Sequence, residues 1–215
     1  MKNYNIIGTN SSGNAIIYFD EVLVDVGLSY TKLKDYLKPI KIVLLTHQHG
    51  DHFQLATINK IAIERPDIVW IVPKYLIEEI KQIKLRNVFE IHHGIKYKIG
   101  EYRIEAFDLY HDIANVGYKI IKNDYKIVHA TDTGKIDHIE AKDFDLYAIE
   151  YNYDEIEIHK RIKEKKEQGL FSYEIRALDS HLSFQKADSW INSQKKESSE
   201  IIKLHTSSYY DQKEN

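Results

Sequence analysis

The first half of the chain alternates short apolar runs with polar segments that contain glycine or proline. Three early runs rich in Ile, Val and aromatic residues predict a β-meander, because such runs between turn residues are typical of strands. A run with helical spacing stops before Pro39, and the apolar run after it predicts a strand buried on both faces. The predicted strands are residues 4–7, 15–19, 22–26, 42–45 and 68–72, and the predicted helices are residues 29–37, 55–63 and 75–84.

The second half of the chain adds more predicted strands and two predicted helices. Residues 154–167 are highly charged and predict an exposed helix, and an amphipathic helix is predicted after Ser183. The segment between these helices, up to residue 178, has no periodicity that decides its class. The predicted strands are residues 102–107, 116–121, 125–129, 146–149 and 201–204. Two β-rich sheets with helices outside would bury these apolar faces, so the predicted fold class is α/β.

Composition favours a single domain that is not exported. The chain has 215 residues, 43% of them hydrophobic, which is enough for one compact domain over residues 1–215. No apolar run approaches the roughly 20 residues that span a bilayer, and the N-terminus lacks the apolar stretch of a signal peptide. Cysteine is absent, which excludes thiolate ligands and favours the reducing cytoplasm. The net charge of −3 gives no global attraction to nucleic acid.

Six residues directly after a predicted buried strand carry the clearest chemical signal. They read HQHGDH, so three imidazoles and one carboxylate lie within one short loop. His47 and His49 are two residues apart in an extended strand exit, so both can point at one metal ion. Asp51 and His52 continue around Gly50 towards a second ion. Polar loop histidines are the ordinary alternative, but four donors together after a buried strand favour a dinuclear metal site.

This loop resembles the HxHxDH motif that defines the metallo-β-lactamase superfamily, and the resemblance extends over nearly the whole chain. It implies an α/β fold, the four-layer αβ/βα sandwich of the metallo-β-lactamase type, and the activity of a metal-dependent hydrolase. Asp25 in VDVG matches the early aspartate of the family, which braces the metal loop without binding an ion. Capping of an ordinary turn is the alternative role for Asp25.

Later motifs supply the remaining metal ligands that the resemblance implies. His111 in LYHDIANVGY matches the third histidine motif, and Asp132 in HATDTG matches the bridging aspartate. The last ligand is either His205, which follows a predicted strand, or His181, which precedes a predicted helix; the strand exit favours His205. The resulting assignment gives the first ion His47, His49 and His111, gives the second ion Asp51, His52 and His205, and makes Asp132 the bridge between them.

The resemblance also implies how a bond would be broken. A hydroxide held between the two ions attacks the substrate in line. His181 lies in a loop that resembles the second-histidine loop of the ribonuclease Z branch, where such a residue donates a proton. Glu150 and Asn152 in IEYNYD match an acidic motif of that branch and are predicted to orient His181. An ordinary capped helix start is the alternative explanation of this segment.

Sequence features shared with particular branches of the superfamily favour a phosphodiesterase that acts on a nucleotide or a nucleic acid. The absence of cysteine argues against β-lactamases with a thiolate ligand. The segments SSGNA, EYNYD and HLS resemble ribonuclease Z-like and exonuclease-like members, and the chain also looks like phage enzymes that hydrolyse cyclic nucleotides. It has no evident long arm for gripping transfer RNA. A single-stranded nucleic acid nuclease and a non-phosphate ester or lactone hydrolase are the alternatives.

The expected cofactors are two divalent metal ions, zinc in the first place and manganese as the alternative, because imidazole and carboxylate ligands accept both. Dimers are common in the branch that the chain resembles, so the resemblance allows a homodimer but the sequence does not fix the oligomeric state, and no membrane partner is expected. A basic cluster in residues 160–166 alternates with glutamates. It is either a solvated helix face or a lid that meets phosphates.

Overall fold

The computed structural model describes residues 2–83, 85–207 and 209. The chain divides into two compact units, Met1–His92 and His93–Asn215, and each unit contains one six-stranded mixed sheet. The single domain over residues 1–215 stays a prediction. Within the described residues, no helix combines the length and the apolar composition needed to cross a bilayer.

The first unit is built on six strands. They are β1 (Tyr4–Asn10), β2 (Gly13–Tyr18), β3 (Val22–Val24), β4 (Ile42–Leu44), β5 (Val69–Pro73) and β6 (Asn87–Ile91). Their order in the sheet follows their order in the chain. The first three strands pair antiparallel, and β3 to β6 pair parallel. The carboxyl ends of β3 to β6 therefore lie along one edge of the sheet, where ligands bind in many α/β proteins.

Short helices cover the apolar core of the first unit. They are α1 (Tyr30–Leu33), which continues into a 3-10 turn (Lys34–Tyr36), α2 (Leu55–Glu64), and a 3-10 turn (Lys74–Leu76) that runs into α3 (Ile77–Ile80). In helix α2 the apolar spacing places Ile58, Ile61 and Ala62 on the buried face, whereas Ile63 is 72% exposed. Every residue of β2 and β4 is buried, which explains the continuous apolar runs in those segments.

The second unit is built on the other six strands. They are β7 (Lys96–Ile99), β8 (Tyr102–Leu109), β9 (Asn115–Lys122), β10 (Tyr125–Ala130), β11 (Leu146–Glu150) and β12 (Glu200–Leu204). They follow one another in the sheet, β7 to β10 antiparallel and β10 to β12 parallel. Because β8 and β10 are both antiparallel to β9, they run in the same direction. The carboxyl ends of β8, β10, β11 and β12 thus share one edge.

Three helices follow β11, and two of them begin at side-chain caps. They are α4 (Glu155–Glu167), α5 (Glu174–Ser180) and α6 (Phe184–Gln194). Asp154 caps α4 by accepting hydrogen bonds from the amides of residues 156 and 157, and Ser183 caps α6. Trp190 of α6 packs edge-on against Tyr147 of β11 and donates a hydrogen bond to the carbonyl oxygen of Ile139. These contacts fix α6 on the apolar face of the second sheet.

The structure differs from the sequence-based prediction at three places. Strands β6 and β7 were not predicted, because most of their residues are exposed and the apolar alternation is weak. The undecided segment before residue 178 contains α5. The predicted helix 75–84 is reduced to α3 and its 3-10 turn, because a tight turn in which Ile83 bonds to Ile80 follows it. Lys84, the last residue of that predicted helix, lies outside the described residues.

Gly27 lies where two backbone segments of the first unit approach each other closely. A methyl carbon at this position would lie 1.7 Å from the carbonyl oxygen of Asp51 and 2.7 Å from the amide nitrogen of Asn14. Two backbone hydrogen bonds close the same contact, from Asn14 to Asp51 and from Gly27 to Asn14. The loop after β4 therefore packs against the turn after β3 at a distance that only glycine permits.

We expect Gly27→Ala to lower the free energy of unfolding by about 1–3 kcal/mol or more, because the methyl group meets rigid backbone. Gly50→Ala is the matched control in the same loop region, since a methyl carbon there meets nothing within 4 Å. Urea unfolding of the metal-free protein measures both. Equal stability of the two variants would contradict the close approach.

A second stability prediction concerns the two isoleucines of α2. Ile61 is fully buried, so Ile61→Ala should lower the free energy of unfolding by about 2–5 kcal/mol through lost burial and the cavity left behind. Ile63→Ala should stay within about 0.5 kcal/mol of the wild type, because Ile63 faces solvent. Denaturant midpoints measured for both variants check the orientation of the helix. Similar losses for both would mean that the other face is buried.

Candidate metal centre

The HQHGDH loop of the first unit lies between β4 and α2. His47 and His52 are fully buried, whereas His49 and Asp51 are partly exposed. The ring centroids of His47 and His49 lie 4.9 Å apart, and those of His47 and His52 lie 4.3 Å apart. The amide of His52 donates a 2.8 Å hydrogen bond to the carbonyl oxygen of His49, which turns the loop around Gly50. Three imidazoles are thereby gathered in one place.

Asp25 is the buried carboxylate on which this loop depends. It accepts hydrogen bonds from the amide and the hydroxyl of Thr46, and its Oδ2 lies 2.6 Å from Nδ1 of His52. A carboxylate is an acceptor, so Nδ1 of His52 carries the proton and Nε2 keeps a lone pair. Burial raises the pKa of Asp25, and the charge and hydrogen bond of His52 act in the opposite direction. This is the bracing role predicted for Asp25, not an isolated turn cap.

Asn14 is a contributor that the sequence analysis did not identify. Its side-chain nitrogen lies 2.8 Å from Nε2 of His52 and 3.2 Å from the carbonyl oxygen of Asp51. Its sequence signal is its place in GTNSSGN between two predicted strands, which predicts only a turn. The amide therefore helps to fix both final residues of the HxHxDH motif.

In the second unit, four strand ends bring the remaining candidate residues to one edge of the sheet. His111 follows β8, Asp132 follows β10, Glu150 ends β11 and His205 follows β12. Asp132 and His205 have positive φ angles of 56° and 51°, a conformation that is uncommon outside glycine. Such backbone geometry is found where the surrounding structure holds a side chain in a required direction.

Glu150 is fully buried and joins three segments of this unit. Its Oε2 accepts hydrogen bonds from the amides of Thr133 and Leu182, at 2.9 and 3.1 Å. Its Oε1 lies 2.7 Å from Nδ1 of His181 and 3.2 Å from Nδ1 of His205. The predicted orienting contact from Glu150 to His181 is therefore present in the geometry.

The negative charge of Glu150 and the positive charge of His181 stabilise each other. Burial would raise the pKa of Glu150, but the charge of His181 and the hydrogen bonds from His181 and His205 hold that pKa below its usual range. Burial would likewise lower the pKa of His181, but the charge and hydrogen bond of Glu150 raise it above the ordinary value for histidine. The pair therefore favours an ionised carboxylate and a protonated imidazole.

Both candidates for the last metal ligand lie beside Asp132. Nδ1 of His205 is 3.3 Å from Oδ1 of Asp132, and Nδ1 of His181 is 3.5 Å from the same oxygen. The side chain of Asn152 donates a 3.0 Å hydrogen bond to the carbonyl oxygen of His205, and its backbone amide donates to the carbonyl oxygen of Leu182, which follows His181. The helix start nearby is capped by Asp154, which leaves Asn152 for this contact. The choice of His205 as the ligand stays a prediction.

His111 presents one ring nitrogen to the same cluster. Its Nδ1 donates a 2.9 Å hydrogen bond to the carbonyl oxygen of Ser180, and its Nε2 lies 4.0 Å from Oδ1 of Asp132. Burial lowers the pKa of His111, although the charge of Asp132 and the bond to Ser180 oppose this shift. A neutral imidazole with Nε2 turned towards a carboxylate is suited to metal binding.

The donors of the second unit fit a divalent metal ion. One ligand atom from each of four residues lies within 4.8 Å of the others: Asp132, Glu150, His181 and His205. The donors are imidazole nitrogens and carboxylate oxygens, and the chain has no thiolate to offer. This chemistry accepts zinc and manganese.

The basic cluster of α4 is partly neutralised. Arg161 and Lys165 both contact the carboxylate of Glu174, each at 2.7 Å, and the amino group of Lys165 donates to both of its oxygens. Burial opposes the ionisation of Glu174, but the bond from Lys165 and the neighbouring charges lower its pKa to about 2. Two members of the cluster are thus engaged in holding α5 to α4.

Comparison with known proteins gives structural relatives of low sequence identity. The short form of human tRNase Z is similar over 97% of this chain and 93% of that chain, with a TM-score of 0.69 and 17% identity. Zinc-bound PqqB from Methylobacterium extorquens is similar over 95% and 89%, with a TM-score of 0.70 and 10% identity. A diphosphatase of the PhnP family is similar over 95% and 86%, with a TM-score of 0.65 and 11% identity. A search of curated proteins gives no significant match.

Structural likeness at these identities is evidence for the fold alone, and the sequence adds the family. Two mixed sheets flanked by helices agree with the αβ/βα sandwich of the metallo-β-lactamase type, so the predicted fold class is confirmed. A family model described as a Beta-lactamase superfamily domain matches residues 21–195. The match covers most of the 215 residues and includes HQHGDH and all later candidate residues except His205. The chain belongs to the metallo-β-lactamase superfamily.

Proposed function

We propose that the protein is a dinuclear metal-dependent phosphodiesterase that acts on a nucleotide or a nucleic acid. The observation that carries this proposal is the 2.7 Å contact between Nδ1 of His181 and the buried carboxylate of Glu150. The same nitrogen lies 3.5 Å from Asp132, so a tethered proton donor stands beside a candidate metal ligand. This combination supports hydrolysis of a phosphodiester whose leaving group is an alkoxide, because an alkoxide leaves poorly until it is protonated.

The proposed cofactors are two divalent metal ions, zinc or manganese. The predicted assignment stands as part of the proposal: the first ion takes His47, His49 and His111, the second takes Asp51, His52 and His205, and Asp132 bridges them. The order of these motifs in the chain and the family membership support it. Two bound ions would supply an activated water and stabilise the negative charge that develops on the phosphate.

The residues around the ions have separate roles. Asp25 keeps the proton of His52 on Nδ1, so Nε2, which faces the Asn14 amide in this structure, carries the lone pair that would bind a metal ion. Glu150 holds Nδ1 of His181 in the same way, so Nε2 of His181 is the atom that delivers the proton to the leaving oxygen. His181 is 19% exposed, which lets it recover a proton from solvent after each turnover.

The substrate class rests on phosphate chemistry. Two of the structural relatives are named as a tRNase and a diphosphatase, and these names support a phosphate ester for this chain. A cyclic nucleotide is the substrate that we place first, and a single-stranded nucleic acid is the alternative. A homodimer and a cytoplasmic location stay predictions, the latter resting on the absence of cysteine.

The first test compares leaving groups in the His181→Ala variant. We expect kcat for 3′,5′-cyclic nucleotides to fall by about 10²–10⁴-fold, because the ribose alkoxide leaves without a proton. The loss on bis-p-nitrophenyl phosphate should be much smaller, because p-nitrophenolate is a stable anion. Asp132→Ala should abolish both reactions, since its carboxylate is assigned to both ions. Steady-state rates with zinc and with manganese measure these effects.

His159→Ala is the matched control, because His159 is exposed on α4 and should leave both reactions unchanged. Equal losses of His181→Ala on both substrates would remove the proton-donor role. A protein with two bound ions that hydrolyses no phosphodiester, including single-stranded oligonucleotides, would overturn the proposed function. Turnover of ester or lactone substrates would then identify the other hydrolase class.

A second test follows the ionisation of His181 in the metal-free protein. The negative charge of Glu150 stabilises the imidazolium, so Glu150→Gln should lower the pKa of His181 from its raised value. The titration of the imidazole proton signals by NMR measures this shift. Glu140→Gln, at an exposed position, should leave the pKa of His181 unchanged. The same pKa in the wild type and in Glu150→Gln would show that Glu150 does not set the charge of His181.

A further inference from the structure

A cavity of about 210 Å³ lies in the second unit between α4, α5 and the segment after β12. Sites for drug-sized ligands run to roughly 300–1,000 Å³, so this smaller cavity suits a single planar ring system with its substituents. The residues of its lining that bear on its chemistry are Asn152, Tyr153, Arg161, Tyr173, Ala177 and Tyr209.

Two lining residues connect the cavity to the proposed catalytic groups. The side chain of Asn152 donates a 3.0 Å hydrogen bond to the carbonyl oxygen of His205. Ala177 lies one turn before His181, and its carbonyl oxygen accepts a 3.0 Å hydrogen bond from the amide of His181. One helical turn advances by only about 5.4 Å. A ligand in the cavity would therefore lie close to the proposed last metal ligand and to the proposed proton donor.

The wall of the cavity contains planar side chains. The guanidinium of Arg161 lies 3.8 Å from the ring centroid of Tyr209, and its ion pair with Glu174 at 2.7 Å holds it in place. Tyr173 is 73% exposed, and its ring packs edge-on against Phe171. Nucleobases stack on aromatic rings and on arginine planes, because every base has a flat π-face. The cavity therefore offers surfaces on which a base can stack.

Tyr153 adds a buried polar group to the same lining. This residue is only 3% exposed. Among the residues that the structure describes, none forms a hydrogen bond with its hydroxyl group. A buried hydroxyl is ordinarily hydrogen-bonded, so one that lines a cavity without a protein partner indicates a polar ligand group. The hydroxyl can donate as well as accept, which suits the mixed edge of a nucleobase.

We propose that this cavity binds the base of the nucleotide whose phosphodiester bond is cleaved. The inference rests on the proposed function and identifies where the substrate is held beyond its phosphate. Tyr173 and Arg161 provide the stacking surfaces, and the hydroxyl of Tyr153 bonds to the edge of the base. The carboxylate of Glu174 does not oppose this role, because Lys165 and Arg161 already neutralise it.

The test measures what the base contributes to binding and needs no turnover. The full chain is titrated by calorimetry, in the presence of Zn²⁺, with cytidine 5′-monophosphate and with ribose 5-phosphate. The second probe has the same sugar and phosphate but no base. We expect the wild type to bind cytidine 5′-monophosphate at least about 5-fold more tightly, as one stacked base provides.

Two variants assign this difference to the cavity. Tyr173→Leu removes a stacking ring and should weaken binding of cytidine 5′-monophosphate by about 5-fold or more. Tyr153→Phe removes only the hydroxyl and should weaken it by about 2–10-fold, the effect of one hydrogen bond. Binding of ribose 5-phosphate should change little in either variant. Tyr36→Leu and Tyr36→Phe are the matched controls in the first unit, where Tyr36 is 40% exposed, and should bind both probes as the wild type does.

A wild type without a preference for the probe that carries a base would overturn the inference. Wild-type affinity for cytidine 5′-monophosphate in both Tyr173→Leu and Tyr153→Phe would overturn it as well. Failure of the proposed function gives a different result, in which the base preference is present and depends on these residues but no phosphodiester is hydrolysed. Hydrolysis of phosphodiesters without any base preference would support the proposed function and contradict the base site.

Discussion

The second unit depends on one buried carboxylate, that of Glu150. It accepts hydrogen bonds from the backbone amides of Thr133 and Leu182. It also contacts the imidazoles of His181 and His205. These partners come from the loop after β10, the loop before α6 and the end of β12, so one side chain fixes three segments that are far apart in the chain. A carboxylate without such partners would cost several kcal/mol to bury. The arrangement is stable only when all of these segments are in place together.

The first unit uses the same device with Asp25. This carboxylate follows a buried strand and accepts a hydrogen bond from the backbone amide of Thr46. It also contacts Nδ1 of the His52 imidazole. In both units the carboxylate holds Nδ1 of an imidazole, which turns the Nε2 edge of the ring towards the role proposed for it. A fold that repeats this solution orients its histidines by buried charge and does not depend on loop rigidity alone.

The sequence predicted those parts of the fold and site that show a local pattern of apolar and polar residues. Continuous apolar runs predicted β4 and β11, and polar residues directly after the first run predicted the HQHGDH loop, whereas Glu150 was predicted from the resemblance to the ribonuclease Z branch. Strands β6 and β7 have no such pattern, because they are mostly exposed and take their structure from pairing with neighbouring strands. Asn14 was missed for a related reason. Its partners Asp51 and His52 lie 37 and 38 positions further along the chain, and only the folded backbone brings them together.

The two histidines beside Asp132 differ in ways that separate a ligand from a proton donor. Their rings stack at 5.3 Å and share the same carboxylates, so position alone does not distinguish them. His205 is 8% exposed, is held by Asn152 and divides its Nδ1 between two carboxylates at almost equal distances. His181 is more exposed and its Nδ1 is committed to Glu150 at 2.7 Å. A metal ligand gains from burial, whereas a proton donor must exchange with solvent and keep one nitrogen anchored. These differences favour His205 as the ligand and His181 as the donor.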